Sequence, residues 1–486
     1  MLLKSLKYSD LFAGRYVFYV FAAFIFIQRP GHGQERGIDC SQDQRSAVNV
    51  AYVIRRCFSE GQLLQFKSAV IQRKTTLNSD ERKMADRLTQ LFSINYSALE
   101  YIYNIASKQS DEPEDLAKQF AEKLKFHWAL IEQIKLHISD TAFRVIWLEV
   151  LNRVENGQYT EAGSLILALR DERLLYGNGQ SEGESYRPER LADVEAVIGR
   201  IALIQSKYSE AAVHFRTASE LLADDTAKSA EYLQASADSL YLQSKDNWSA
   251  PDLRQAIEIY QQLLQQISRQ KAPEFWAETQ RKLGQAFLRL GAGQRSISPL
   301  KNAVAAFRAV LNVRSKERDP GRWADAQADL GTALFRLGAP PQKNTENLRD
   351  AVAAYRLALE EIDSRTAPEK WNTWQNGLGA ALWSLGKQET NSVRYLEEAA
   401  TAFKDALKSL NAERNPRDWG ATQNNLGAAL FALAERVPGE RYLQQSIEAF
   451  KASLSAYQDA SALYFVVGIR KNLKSAETML RQRRRQ

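Results

Sequence analysis

From residue 253 onward the apolar positions of the chain fall into two alternating helical frames. One frame reads "LRQAIEIYQQLL" from Leu253, "LKNAVAAFRAVL" from Leu300, "LRDAVAAYRLAL" from Leu348, "LEEAATAFKDAL" from Leu396 and "LQQSIEAFKASL" from Leu443. Leu, a small residue and an aromatic recur there at offsets 0, 3 and 7, the spacing of one helical face. The other frame reads P-x-x-W-x-x-x-Q-x-x-L-G-x-A-[LF] and starts at Pro273, Pro320, Pro368 and Pro416. Each unit is therefore a first helix, a loop and a second helix. Repetition at a period near 48 residues predicts a stack of such units rather than one large core.

The constant residues have separate physical jobs. Pro suits the first position of a helix, where no N–H is needed, and Asp319 and Asn415 stand before it as expected caps. Trp, Gln, Leu and [LF] lie on one stripe. Glycine inside a helix costs about 1 kcal/mol against alanine, so Gly284, Gly331, Gly379 and Gly427 need a reason. The expected reason is close approach of the second helix, with Ala303, Ala351, Ala399 or Ser446 opposite. Gln280, Gln327, Gln375 and Gln423 have two readings: amides that fix the stacking of units, or a ladder facing a bound peptide backbone.

On these residues the chain resembles the tetratricopeptide repeat family. Gly199, Tyr208, Ala211, Phe215 and Ala218 fit that family's 34-residue frame over 192–225, and the longer units over 273–457 are similar to its elongated bacterial variety. The resemblance implies an all-α fold, a right-handed α-solenoid of helix-turn-helix repeats, and binding of a protein or peptide segment in a concave groove. It places the groove on either side of Leu-Gly in the first helices. Those positions hold Arg281, Gln285, Leu288 and Arg289, then Thr332, Phe335 and Arg336, then Asn376 and Trp383, then Asn424 and Phe431. Leu288, Phe335, Trp383 and Phe431 share one offset, and packing between units is the competing role for them. A spacer that self-associates and has no peptide groove is the alternative function.

The flanks are less regular. Residues 35–140 have helical periodicity without the repeat frame, so a helical N-terminal segment is expected there, followed by degenerate and 34-residue repeats over 141–225. The longer array follows over 226–457. Residues 458–486 read as a final first helix and a basic tail, with Val467-Gly468 at the Leu-Gly position and a polar face from Arg470 to Lys474. "YGNGQSEGESYRPE" at 176–189 is a loop between units.

Composition changes this picture only at the ends. The 486 residues are 44% hydrophobic and 25% charged, ordinary for a folded domain. Residues 1–34 combine Lys4, Lys7 and Arg15 with the apolar run Tyr16–Ile27, the layout of a secretory signal. Read from Leu11 to Ile27, the same run would serve as an uncleaved anchor. Both readings send 35–486 across a membrane, to a periplasmic or secreted location; a cytosolic protein is the third reading. Contact with the membrane is expected only through this segment. Export makes a disulfide between Cys40 and Cys57 plausible, against two unpaired thiols. The net charge of +7 resides partly in the leader and in "RQRRRQ", and no basic stripe with interleaved aromatics suggests nucleic acid.

Chemistry has little support. His32, His127, His137 and His214 are not at ligand spacing, so no metal or cofactor is expected. There is no G-x-S-x-G, no P-loop and no predicted strand to carry one. An enzyme is not the expected function.

Overall fold

The computed structural model describes residue 89 and residues 94–485, with breaks at 110–112, 139–143, 172–187, 248, 295, 340–341, 390–392, 413–414 and 460–462. The leader, Cys40 and Cys57, and most of the 176–189 loop lie outside the described residues. Among the described residues every regular element is a helix. The chain runs through α1 (Tyr96–Gln109), α2 (Pro113–His137), α3 (Arg144–Glu155), α4 (Tyr159–Asp171), α5 (Pro188–Ile204) and α6 (Tyr208–Leu221). It continues with α7 (Thr226–Asn247), α8 (Ala250–Gln266), α9 (Pro273–Gln294), α10 (Ile297–Leu311), α11 (Pro320–Gly338) and α12 (Thr345–Leu359). The last elements are α13 (Pro368–Gln388), α14 (Arg394–Leu407), α15 (Pro416–Ala434), α16 (Arg441–Asp459) and α17 (Leu463–Arg483).

Each helix packs on its neighbours in sequence, which is the organisation of a solenoid. The first helices α7, α9, α11, α13, α15 and α17 also touch one another from unit to unit, and the second helices do so less. First helices that crowd together while second helices splay put the first-helix layer on the inside of the curve. One continuous apolar core runs along the stack from α6 to α16.

The glycines of the first helices have a different partner from the one expected. A Cβ built on Gly284 would stand 2.7 Å from the Phe307 ring, on Gly379 2.6 Å from Phe403 and on Gly427 2.7 Å from Phe450. The aromatic of the second helix, not Ala303, Ala351 or Ala399, fills the notch. Ser446 does approach, its hydroxyl donating to the Gly427 carbonyl at 2.8 Å. The four rings, with Tyr355 at Gly331, are buried. Asp319 caps α11 by accepting the Arg322 N–H at 2.9 Å, but Asn415 makes no side-chain cap on α15. The tryptophans close the other end of each hairpin: Trp371 Nε1 donates to the Asp405 carbonyl at 3.0 Å, and Trp276 packs beside Val310.

The C-terminal helix corrects the expected register. Val466, Ile469 and Ala476 are buried, Leu473 and Leu480 pack beside them, and Val467 is 74% exposed. Gly468 faces open space. Aligning the starts of α15 and α17, Pro416 and Leu463, sets Leu473-Lys474 against Leu426-Gly427. A charged lysine thus stands where the ring-accepting glycine does in four preceding units. With Arg470 and Arg481 also exposed, α17 offers no such notch for another second helix.

The N-terminal helices share a core with α3, α4 and α5. There His127 is buried, with its Nδ1 2.7 Å from the Tyr159 hydroxyl. Burial pushes the His127 imidazole down to about 4. Helix α2 also leaves the hairpin order and packs on α5. Lys123, with no exposed surface, donates to the Leu203 carbonyl and the Tyr208 hydroxyl, both at 2.8 Å. Far along the chain, Arg417 of α15 pairs with Asp115 of α2 at 2.9 Å.

Candidate functional site

The candidate residues all sit on first helices, and the inner layer brings them into one row. Proline and the tryptophan stripe set the rotation of α9, α11, α13 and α15, so equal offsets point the same way in every unit. Leu288, Phe335 and Trp383 are half-buried against the main core, and Phe431 is half-buried against the C-terminal cluster. The row therefore does pack between units, while part of each side chain stays accessible. Arg336 is exposed.

The polar candidates link neighbouring first helices. Gln285 Nε2 donates to Asp329 Oδ2 at 3.1 Å, and Arg281 stands 3.5 Å from the same carboxylate. Arg289 donates to the Ser244 carbonyl at 2.6 Å. Asn376 Nδ2 donates to Thr422 Oγ1 at 2.9 Å and to Asn372 Oδ1 at 2.6 Å. Thr332 shares a 2.8 Å bond with the Tyr355 hydroxyl. Asn376 Oδ1, Trp383 Nε1 and Asn424 Oδ1 are enclosed without a hydrogen-bond partner from the protein.

Sequence reasoning missed the carboxylates and lysines that complete this ladder. Lys282 pairs with Asp238 at 2.5 Å, and Lys370 with Asp325 at 2.6 Å. The signal was present at the position before Leu-Gly, which holds Lys282, Asp329, Gly377 and Asn425 in successive units. A charge at that position in two of the four units, Lys282 and Asp329, marks a contact between units, whereas the Lys370–Asp325 pair lies at other offsets.

The electrostatics of the ladder follow from its depth. Burial pushes the Asp329 carboxyl up to about 6, because it outweighs Arg281 and Gln285. At Glu278 burial acts in the same direction but loses. Arg281, bonded at 2.7 Å, and Arg314, bonded at 2.8 Å, bring that carboxyl down to about 2. The difference is one of partners: Glu278 has two guanidinium groups in hydrogen-bond contact, and Asp329 has one at longer range.

Among the described residues no group of three His, Cys, Asp or Glu is placed to hold a metal ion. His214 Nδ1 is 2.6 Å from Glu195, which also faces Arg170 at 3.5 Å, a local ion-pair cluster. No described helix is long and apolar enough to cross a membrane.

Paired helices, a ring-in-glycine lock in the four units from α9 to α16 and an inner layer of first helices define a tetratricopeptide-like α-solenoid. No family model matches the sequence, and no curated protein does. Among solved structures, the chain is similar to the TPR2AB domain of yeast Sti1 in its pHSP90 complex. That match has 17% identity, a TM-score of 0.21, and covers 59% of this chain and 99% of the other. It is also similar to a circular tandem repeat protein with novel repeat topology, at 15% identity and a TM-score of 0.25, covering 90% of this chain and 98% of the other. At such scores these likenesses add no detail to the geometry above.

Proposed function

We propose that the protein is a protein–protein interaction scaffold whose inner layer, from α9 to α15, takes a segment of a partner protein. The observation that carries this reading is the row Leu288, Phe335, Trp383 and Phe431. Large, rigid and half-accessible side chains stand at one offset, beside the exposed Arg336 and the half-buried amides of Asn376 and Asn424. Apolar anchors flanked by donors and acceptors are the composition of binding hot spots. Residues 1–34 suit export or tethering of this scaffold, and fractionation of cells that make the full chain tests that part: full-length protein recovered only in the cytosol would refute it.

The spacer alternative has one feature against it. End-to-end stacking through α17 would bring a second helix onto Lys474, Arg470 and Arg481, and all three are exposed charges.

The test is capture from native extract with residues 35–486, compared with the double substitution Phe335→Glu, Trp383→Glu. Circular dichroism first establishes that both are equally helical. A partner held by the wild type is expected to be lost at least about tenfold with the variant, the scale of two hot-spot truncations. Equal recovery with both proteins would remove the row from the binding face. Recovery of the bait alone would favour the self-associating spacer.

A further inference from the structure

Helix α17 leaves open the face that α15 turns toward α16. In α15 that face is covered: Gly420 lies against Tyr457, and Gly427 against Phe450. Their counterparts on α17 are Val467 and Lys474, and the same stripe continues through Arg470, Lys471, Thr478 and Arg481, all exposed. From Val467 to Arg481 the stripe is about 21 Å long, at 1.5 Å per helical residue. The opposite side of the helix, with Val466, Ile469 and Ala476, is buried against the C-terminal cluster. The stripe carries one sign of charge, and the half-buried Glu477 is the one acid of the helix. Exposed cations elsewhere on the array reach a carboxylate of the next unit. Arg308 faces Asp350 at 3.6 Å, Lys316 faces Glu360 at 3.0 Å and Lys387 faces Glu435 at 3.4 Å. Even Arg484, just after α17, pairs with Glu440 at 2.9 Å. Among the described residues, Arg470, Lys471, Lys474 and Arg481 meet no carboxylate.

We infer that this stripe docks the array on a membrane surface rich in anionic phospholipid. Solubility alone asks for charges of both signs, whereas this face has cations only. A straight stripe presents all of them at once to a flat layer of phosphates, and each cation near such a surface is worth about fivefold in affinity. Val467, 74% exposed at one end, suits the boundary between headgroups and acyl chains. Nucleic acid would call for aromatic side chains to stack on bases, and a protein partner for a cluster of apolar anchors. The stripe has neither. The contact is with headgroups, so α17 keeps its apolar side on α16 and crosses nothing. It adds a second membrane contact to the one expected at residues 1–34, and it does not depend on the role of the inner row.

The test uses the full chain with Cys40→Ser and Cys57→Ser, so that an introduced cysteine is the sole thiol. A fluorophore at Thr478→Cys on the stripe, or at Thr401→Cys on α14 as control, is read against vesicles whose headgroups carry a nitroxide quencher. Because the label reports its own position, a leader held in the bilayer does not supply the signal. Quenching of the Thr478→Cys label is expected on phosphatidylcholine vesicles containing about 30% phosphatidylglycerol, and not on phosphatidylcholine alone. Arg470→Glu with Lys474→Glu should raise the lipid concentration for half-quenching at least about twentyfold. Raising salt from about 0.05 M to about 0.5 M on the parent should act in the same direction. Should the double reversal misfold, Lys471→Gln with Arg481→Gln and the salt series decide. Equal quenching on neutral vesicles, quenching that ignores both charge removal and salt, or equal quenching at Thr401→Cys would overturn the inference. Single-stranded RNA that displaces the protein from the vesicles at equal phosphate concentration would also overturn it, reassigning the stripe to nucleic acid. No captured partner is needed, so the outcome is independent of the inner-row experiment.

Discussion

Phe403→Ala is expected to destabilise the array by about 3–5 kcal/mol, the cost of deleting a buried ring from a core that collapses only in part. Phe403 is 2% exposed and fills the notch at Gly379. The loss should be local, since each unit of a solenoid touches only its neighbours. Hydrogen exchange is expected to show loss of protection centred on α13 and α14, spreading to the units on either side. The same lock gives a sign test. Gly379→Ala alone should destabilise by about 1–2 kcal/mol, because overpacking against the ring exceeds the helical gain of alanine. In the Phe403→Ala background the ring is gone, and Gly379→Ala should instead stabilise by about 1 kcal/mol. A double-mutant cycle in urea measures the coupling. Additive effects would mean that the notch is not held open by the ring. Gly331→Ala is the milder control, since its Cβ would stand 3.1 Å from Tyr355.

Acidification is expected to loosen one part of the molecule and tighten another. His127 prefers to be neutral in the fold, at about 4 against 6.5 unfolded. Its burial is therefore tolerated without cost above pH 6.5, and stability is lost as pH falls from there toward 4. Between pH 7 and 5 the loss is about 2 kcal/mol, because each tenfold change in proton affinity is worth about 1.4 kcal/mol. Asp329 has the opposite linkage. Its carboxyl is raised from 3.8 to about 6, so ionising it opposes folding, and lowering the pH from 7 to 5 relieves about 1 kcal/mol. Hydrogen exchange at the two pH values, corrected for intrinsic rates, should show weaker protection in α2 and α4 and stronger protection in α9 and α11. Asp329→Asn should abolish the central response and leave the N-terminal one. A uniform response along the chain would contradict both assignments.

Much of the architecture is legible in the sequence. The proline starts, the tryptophan-to-leucine stripe and the second-helix frame each express a local periodicity, and helices α8 to α16 follow them. The offset of Leu288, Phe335, Trp383 and Phe431 is likewise legible, because equal offsets on equally placed helices must face one way. Three readings failed for one reason. The small residue opposite Gly284, the cap at Asn415 and the Leu-Gly register of α17 all concern which atoms meet across space, and a repeat frame specifies a face without specifying its partner.

By itself, then, the sequence determined the element type, the length of each repeat and the face each helix turns inward, since these depend on spacing within about two turns of chain. Tertiary structure alone decided that rings enter the glycine notches, that Asp329 is raised while Glu278 is lowered, and that α2 reaches Arg417. Those outcomes depend on distances between residues far apart in sequence, where small differences in packing and desolvation choose among partners that the periodicity leaves equivalent.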